Sequence, residues 1–168
     1  MTRPQACLLA LALAVAAVSP AAAQSARVLG DFRDWSSYAA DDGSGTICFA
    51  MTRPKSTEPS SAAGSDAYVY VTNRPGEDVV SEFNVVAGYT FQTGSLASVS
   101  VGGQSFALFT QGDAAWLDDA GQSAALAAAI RAGSTLSVEG TNATGARVVQ
   151  SYSLSGATAA QQAIGAEC

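Results

Sequence analysis

Apolar and polar positions alternate over short distances along most of this chain, a pattern that belongs to half-buried strands rather than helices. Ile47-Cys48-Phe49-Ala50-Met51 sets Ile47, Phe49 and Met51 on one side and turns Cys48 to the other. Ala67 to Thr72 repeats the alternation until Arg74-Pro75-Gly76 ends it, and Val79 to Val86, Gly88 to Phe91 and Ala97 to Val101 read as further strands. Gly102-Gly103 predicts a two-residue hairpin turn into Ser105 to Thr110, because the centre of such a turn needs positive φ. Leu136 and Val138, a turn within Gly140 to Gly145, and Arg147 to Leu154 form a last hairpin. Short strands at regular spacing predict an all-β fold, an antiparallel β-sandwich of about 8–10 short strands.

The period changes in two places. Asp119 is a helix cap with Gln122 three residues on, the alanine-rich run to Arg131 carries Leu126 and Ile130 one turn apart, and Gly133 ends it. This predicts one short helix near 120–132, lying across an open end or edge of the sheets. After Tyr152-Ser153-Leu154-Ser155-Gly156, Thr158 with Gln161 predicts a short C-terminal helix that Gly165 stops. Two stretches fit neither period. Val28 to Tyr38 mixes Phe32, Trp35 and Tyr38 with Asp31, Arg33 and Asp34, and is expected to pack its aromatics and show its charges. Pro54 to Ser65 is poor in apolar residues and predicts a long mobile loop, a candidate for recognition.

Composition adds compartment to architecture. Arg3, the apolar run from Cys7 to Val18 and Ser19-Pro20-Ala21-Ala22-Ala23 read as a secretion signal, with cleavage between Ala23 and Gln24. The run would span about 18 Å as a helix against a hydrocarbon core of roughly 30 Å, so it is too short to be a membrane span. Cys7 opens the apolar run instead of closing it, on the wrong side for a lipid anchor. The mature part, residues 24–168, is expected to be a single domain without a transmembrane segment, in the periplasm or secreted to the cell envelope. The net charge is −6, and −7 without Arg3, which argues against nucleic acid and anionic lipid as partners. Once Cys7 has left with the signal, Cys48 and Cys168 are the cysteines that remain, and in an oxidising compartment they are expected to pair. For a loop on the order of 100 residues the chain-entropy estimate of such a bridge is about 4 to 5 kcal/mol. Two thiols or a thiolate metal site are the alternatives, but zinc would need further Cys or His ligands.

Catalytic constellations are sparse. The chain has no histidine, which removes Ser-His-Asp and Cys-His chemistry and imidazole metal sites. Asp118-Asp119 reads as a helix cap, and Asp41-Asp42 and Glu77-Asp78 as turns, since adjacent carboxylates do not converge on one substrate. Asp41-Asp42-Gly43-Ser44-Gly45 lacks the alternating oxygen ligands of a calcium loop. Asn142-Ala143-Thr144 matches a glycosylation acceptor and reads as a hairpin turn. Trp35 and Trp116 are expected to be core mass, with an exposed partner anchor as the alternative. Arg53, Lys55 and Arg74 flank the long loop as a possible basic spot, although pairing of the two flanking strands would set Arg74 at the opposite end.

In their order and spacing, Asp34-Trp35, Cys48, Arg74-Pro75, Gly88-Tyr89-Thr90-Phe91, Phe106 to Gly112, Ala115-Trp116-Leu117, Gly133, Gly140, Gly145, Tyr152 to Gly156 and Cys168 resemble the invasion-associated locus B family of exported alphaproteobacterial proteins. Arg33 stands where a glycine is common in that family, and Ala157 where an aromatic is usual. The resemblance implies a sandwich-like extracytoplasmic domain linked by its name to bacterial invasion of host cells, with no catalytic residues, metal or cofactor. The function expected is therefore a non-enzymatic binding or interaction protein of the envelope, whose partner is a protein, an envelope component or a host surface. An enzyme or small-ligand carrier with a cleft at one end of the sandwich is the competing reading, and it requires aromatics and a carboxylate of perturbed pKa in that cleft. A structural envelope component is the third.

Overall fold

The computed structural model describes residues 26–41, 43 and 45–168. The secretion signal, its cleavage between Ala23 and Gln24, Cys7 and the turn residues Asp42 and Ser44 lie outside the described residues. Eleven strands form one continuous antiparallel sheet. They are β1 (Arg27–Phe32), β2 (Trp35–Asp41), β3 (Thr46–Thr52), β4 (Ser56–Glu58), β5 (Tyr68–Arg74), β6 (Val79–Val86), β7 (Leu96–Val101), β8 (Gln104–Gln111), β9 (Ala114–Leu117), β10 (Thr135–Thr141) and β11 (Arg147–Ser153). Their spatial order is β1-β2-β3-β5-β6-β9-β8-β7-β10-β11-β4.

The sheet folds over on itself into a sandwich, and its distant ends meet. Trp35 Nε1–H donates to the Ser153 carbonyl at 2.9 Å, and the Asp34 amide donates to that of Ser155, which joins β2 to the end of β11. The alternating face that points inward supplies the core: Trp35, Val69, Val71, Phe83, Val85, Val99, Leu108, Leu136 and Tyr152 are all buried. Two helices complete it. α1 (Ser123–Ala132) packs Leu126 and Ile130 against β6 and β7, and α2 (Ala157–Glu167) lies across the inner side of β1, β2, β3 and β5.

Several expectations hold residue by residue. Val79–Val86 is a strand as read, Gly102-Gly103 form the hairpin turn with φ of +57° and +82°, and Asp119 caps the turn before α1 by accepting from Gly121 N–H. Other expectations are corrected. Gly88 to Phe91 is not a strand; it contributes one isolated bridge, from Phe91 to Asn142. Pro54 to Ser65 is not a structureless loop: it carries β4, which leaves the β3–β5 connection to pair with β11 at the far end of the sheet. Short polar residues can add to a ladder when the partner strand offers free backbone groups, and no apolar pattern announces it. Val28 to Tyr38 proves to be the β1–β2 hairpin, and Ala114–Leu117 a strand of its own.

The C-terminal helix also begins and ends differently from expectation. Its N-cap is Gly156 at φ +95°, where a Cβ would collide with the Phe32 carbonyl, so that only glycine lets the chain turn under β1. Thr158 does not cap; its hydroxyl donates to the Arg131 carbonyl, and Gln161 Oε1 accepts from Arg131 Nη1, which ties α2 to α1. Gly165 lies within the helix, and the helix runs on to Cys168, which is disulfide-bonded to Cys48 with a Cα–Cα distance of 6.0 Å.

Candidate functional site

Strand periodicity gives each strand two faces, and here, Trp35 at the start of β2 excepted, the larger side chains of β2, β3 and β5 take the outer one. Inside, under α2, stand Ser37, Ala39, Cys48, Ala50, Val69 and Val71, all buried. Outside stand Tyr38, Phe49, Met51, Tyr68 and Tyr70, all half-buried. The small inner residues are what allow a helix to sit directly on the sheet: Ser37 Oγ donates to the Ala160 carbonyl at 3.0 Å. The outer aromatics then have only one another to pack against. Tyr38 stacks on Phe49 with centroids 5.2 Å apart, Phe49 tilts against Tyr70 at 6.1 Å, and Tyr70 against Tyr68 at 5.8 Å.

Strand register carries this face further. Ser36 pairs with Met51, Met51 with Tyr70, Tyr70 with Asn84, Asn84 with Trp116, Trp116 with Phe109 and Phe109 with Leu96. Cross-strand partners project to the same side of a sheet, so these residues form one outward row across seven adjacent strands. Six inter-strand steps make that row roughly 29 Å long. None of the seven is buried, and Leu96 and Phe109 are 64% and 41% exposed.

Two depressions lie along the row, one at its Ser36 end and one beside Trp116 and Phe109. The first, about 450 Å³, is lined by Arg33, Asp34, Ser36, Tyr38, Met51, Thr52, Arg53, Pro54, Lys55 and Tyr68. Arg53 Nη1 donates to the Ser65 carbonyl at 2.5 Å, its other terminal nitrogen donates to Tyr68 Oη, and its guanidinium carbon lies 4.4 Å from the Tyr68 ring centroid. Lys55 Nζ lies 2.5 Å from Asp34 Oδ1. The hydrogen bond from Lys55, with help from Ser153, holds the Asp34 carboxyl below the usual carboxylate range. The second depression, about 360 Å³, is more apolar and lies between Phe109, Trp116, Glu82, Gln111 and Ser123. Phe109 and Trp116 stack there at 5.5 Å.

The residues singled out from sequence are dispersed by this geometry. Trp35 is core, whereas Trp116 sits on the outer row, so the expectation of burial is met by one tryptophan and corrected for the other. Arg53 and Lys55 share the first groove, while Arg74 pairs with Glu82 elsewhere, as strand pairing requires. Asp41 Oδ1 accepts from Gly43 N–H, and Asn142 Oδ1 accepts from Thr144 and Ala146, so both side chains are engaged in turns. The aromatic row itself was not anticipated. Its signal was present in Tyr68-Val69-Tyr70-Val71, where the larger member of each alternating pair marks the outer face.

Fold and site together define a disulfide-closed, all-β sandwich whose outward face is its most distinctive chemistry. The chain belongs to the family described as Invasion associated locus B (IalB) protein, whose model matches residues 35–165, most of the chain. No curated protein and no solved structure matches it.

Proposed function

We propose that this chain is an exported, non-enzymatic binding protein of the bacterial envelope that engages its partner through the outward faces of β2, β3, β5, β6, β9 and β8. The observation that carries this reading is a pair of outward aromatic clusters on one sheet face, Tyr38, Phe49, Tyr70 and Tyr68 on one side of Asn84 and Trp116 with Phe109 on the other. Aromatics left at a surface are the side chains that dominate interaction hot spots. Export is supported by the disulfide, which persists in oxidising compartments, and among the described residues no helix is long and apolar enough to cross a membrane. The family name supplies the link to invasion.

The competing enzyme reading asked for a cleft with aromatics and a carboxylate of perturbed pKa, and the first groove offers Tyr38, Tyr68 and Asp34. The direction of the shift favours binding. A carboxyl pulled down by Lys55 stays ionised near neutrality, as an acceptor for a ligand, whereas a general acid or base works best with its pKa near the operating pH.

The test compares the wild-type protein with a Tyr70→Ser, Trp116→Ser double variant for saturable binding to intact bacterial envelopes and to host-cell surfaces. Loss of binding with retained folding is the expected outcome. Equal binding by both proteins, or no saturable binding by either, would sink the assignment of this face.

A further inference from the structure

We propose that the groove between Arg33, Arg53, Lys55, Tyr38 and Tyr68 binds an acidic saccharide, a sugar chain carrying carboxylate groups; this rests on the outward face being the interaction face. Charge is the first argument. The protein has a net charge of −6, yet this groove is lined by three cations and one carboxylate, Asp34, which Lys55 already pairs, with Asp31 behind Ser36 at its edge. Such a concentration of positive charge on an acidic protein is complementary to an anionic group.

Backbone conformation is the second. Arg33 stands at φ +59° in the β1–β2 turn, a left-handed conformation that non-glycine residues adopt at a cost of roughly 1–2 kcal/mol. Glycine would relieve that cost and remove the guanidinium from the groove. Asp78 and Ser81 share that conformation, but among the three Arg33 is the one whose side chain lines this groove, and strain of this kind clusters at binding sites.

Shape and donor chemistry are the third. Arg53 is held by Ser65 and Tyr68, so its guanidinium charge is fixed in place, and each terminal nitrogen keeps a second N–H for a carboxylate. Arg53 already covers a face of the Tyr68 ring, so Tyr38, stacked on Phe49 by one face and half-buried, is the flat ring beside it on which the C–H face of a sugar ring can rest. Asp34 and Ser36 supply acceptors for hydroxyl groups. A peptide would more readily extend a free sheet edge, whereas the backbones of β2, β3 and β5 beneath the groove are already paired on both sides. The row leading away across the strands, roughly 29 Å long, suits a chain of several sugar units rather than a single one.

The experiment is calorimetric titration of the oxidised protein with a galacturonate oligosaccharide, an uncharged cello-oligosaccharide and polyglutamate. Galacturonate binding that weakens with salt, falls roughly tenfold or more in Arg33→Gly and Arg53→Ala, and exceeds binding of the other two probes is the expected result. Arg33→Gly relieves backbone strain, so a loss of affinity in that variant is not a folding defect. The proposal is overturned if galacturonate binds no better than the uncharged chain, if polyglutamate binds equally well, or if Arg33→Gly leaves the affinity unchanged. If galacturonate fails while cell-surface binding still depends on Tyr70 and Trp116, the acidic-saccharide proposal falls and the interaction face stands. If both fail, both fall.

Discussion

Strands β2, β3 and β5 carry small residues on the face they turn toward α2 and aromatic ones on the face they turn toward solvent. On the inner side Ser37, Ala39, Cys48 and Ala50 leave room for a helix backbone to approach, and Ala157, Ala160 and Ile164 of that helix are buried against them. On the outer side Tyr38, Phe49, Tyr68 and Tyr70 are wide enough to cover their own backbone but have no further layer above them. Burial is therefore governed by which face a second layer can reach, not by side-chain size. The inner face is expected to hold the fold together and the outer face to be expendable for stability, and that asymmetry can be broken by measurement.

The largest effect is expected from the link that pins α2 to the inner face. Cys168→Ser opens a bridge between residues 120 positions apart, and loss of about 2–5 kcal/mol in urea unfolding is expected, toward the upper end for so long a loop. Intact mass before and after reduction, differing by two hydrogens, checks that the bridge is formed. A variant as stable as the wild type would mean that helix packing alone closes the inner layer.

Next comes a matched pair. Ile164→Ala removes a fully buried side chain from α2 and is expected to destabilise by about 2–5 kcal/mol. Phe49→Ala, across the same strands, removes a larger but only half-buried residue, losing ring contacts of about 0.5–1.5 kcal/mol plus part of a side chain's burial, and is expected to cost less than Ile164→Ala. If Phe49→Ala costs as much as Ile164→Ala, the outer row is structural and its reading as an interaction face loses its basis.

This asymmetry also explains what was legible in the sequence. Period-two alternation located β3, β5, β6, β7, β8, β10 and β11: β5, β6, β7, β8 and β10 repeat Val, Leu or Phe on the core face, whereas in β3 the apolar repeat Ile47, Phe49 and Met51 lies on the outer face. It was silent on β4, Ser56–Glu58, whose three residues bury nothing and whose place depends on a partner strand nearly a hundred residues later in the chain. It misplaced Gly88 to Phe91, where apolar content reflects packing of Tyr89 against Phe91 at 5.0 Å rather than pairing. The start of α2 was misread because a threonine resembles a cap until one knows that the chain must pass beneath the Phe32 carbonyl, which admits only Gly156. The outer row was missed for a related reason. Alternation shows that two faces differ, but which one is covered depends on where a helix distant in sequence comes to lie.

Alkaline titration probes the inner side in a third way. Burial pushes the Tyr89 hydroxyl up to about 12, and burial raises that of Tyr152 as well. The folded state holds these protons while the unfolded chain releases them near the ordinary tyrosine value of about 10. Their contribution to stability is thus complete below that pH and declines as pH rises toward about 12. Thermal unfolding midpoints should be level up to pH 10 and fall above it, and ultraviolet titration should show tyrosines that ionise only as the protein unfolds. Early ionisation of every tyrosine would mean that the interior is open to solvent.

The smallest effect belongs to the groove on the outer face. The Asp34 carboxyl is held below the ordinary aspartate value of about 3.9, first by the hydrogen bond from Lys55, so the sign is opposite to that of the tyrosines. Stability from the pair is complete above that pH and is lost as pH falls through the depressed folded value. Both side chains are partly exposed, so water and salt screen the pair and the change in unfolding midpoint should be slight, smaller than that of any substitution above. Lys55→Met should weaken this acid dependence, leaving the part due to Ser153, while the alkaline limb stays unchanged. If the groove holds an anionic ligand, the same substitution should weaken binding far more than it weakens the fold, because Lys55 contributes charge at the surface and little to the packing beneath it. A variant that lost stability and binding in proportion would erase the distinction between a face that maintains the structure and one that uses it.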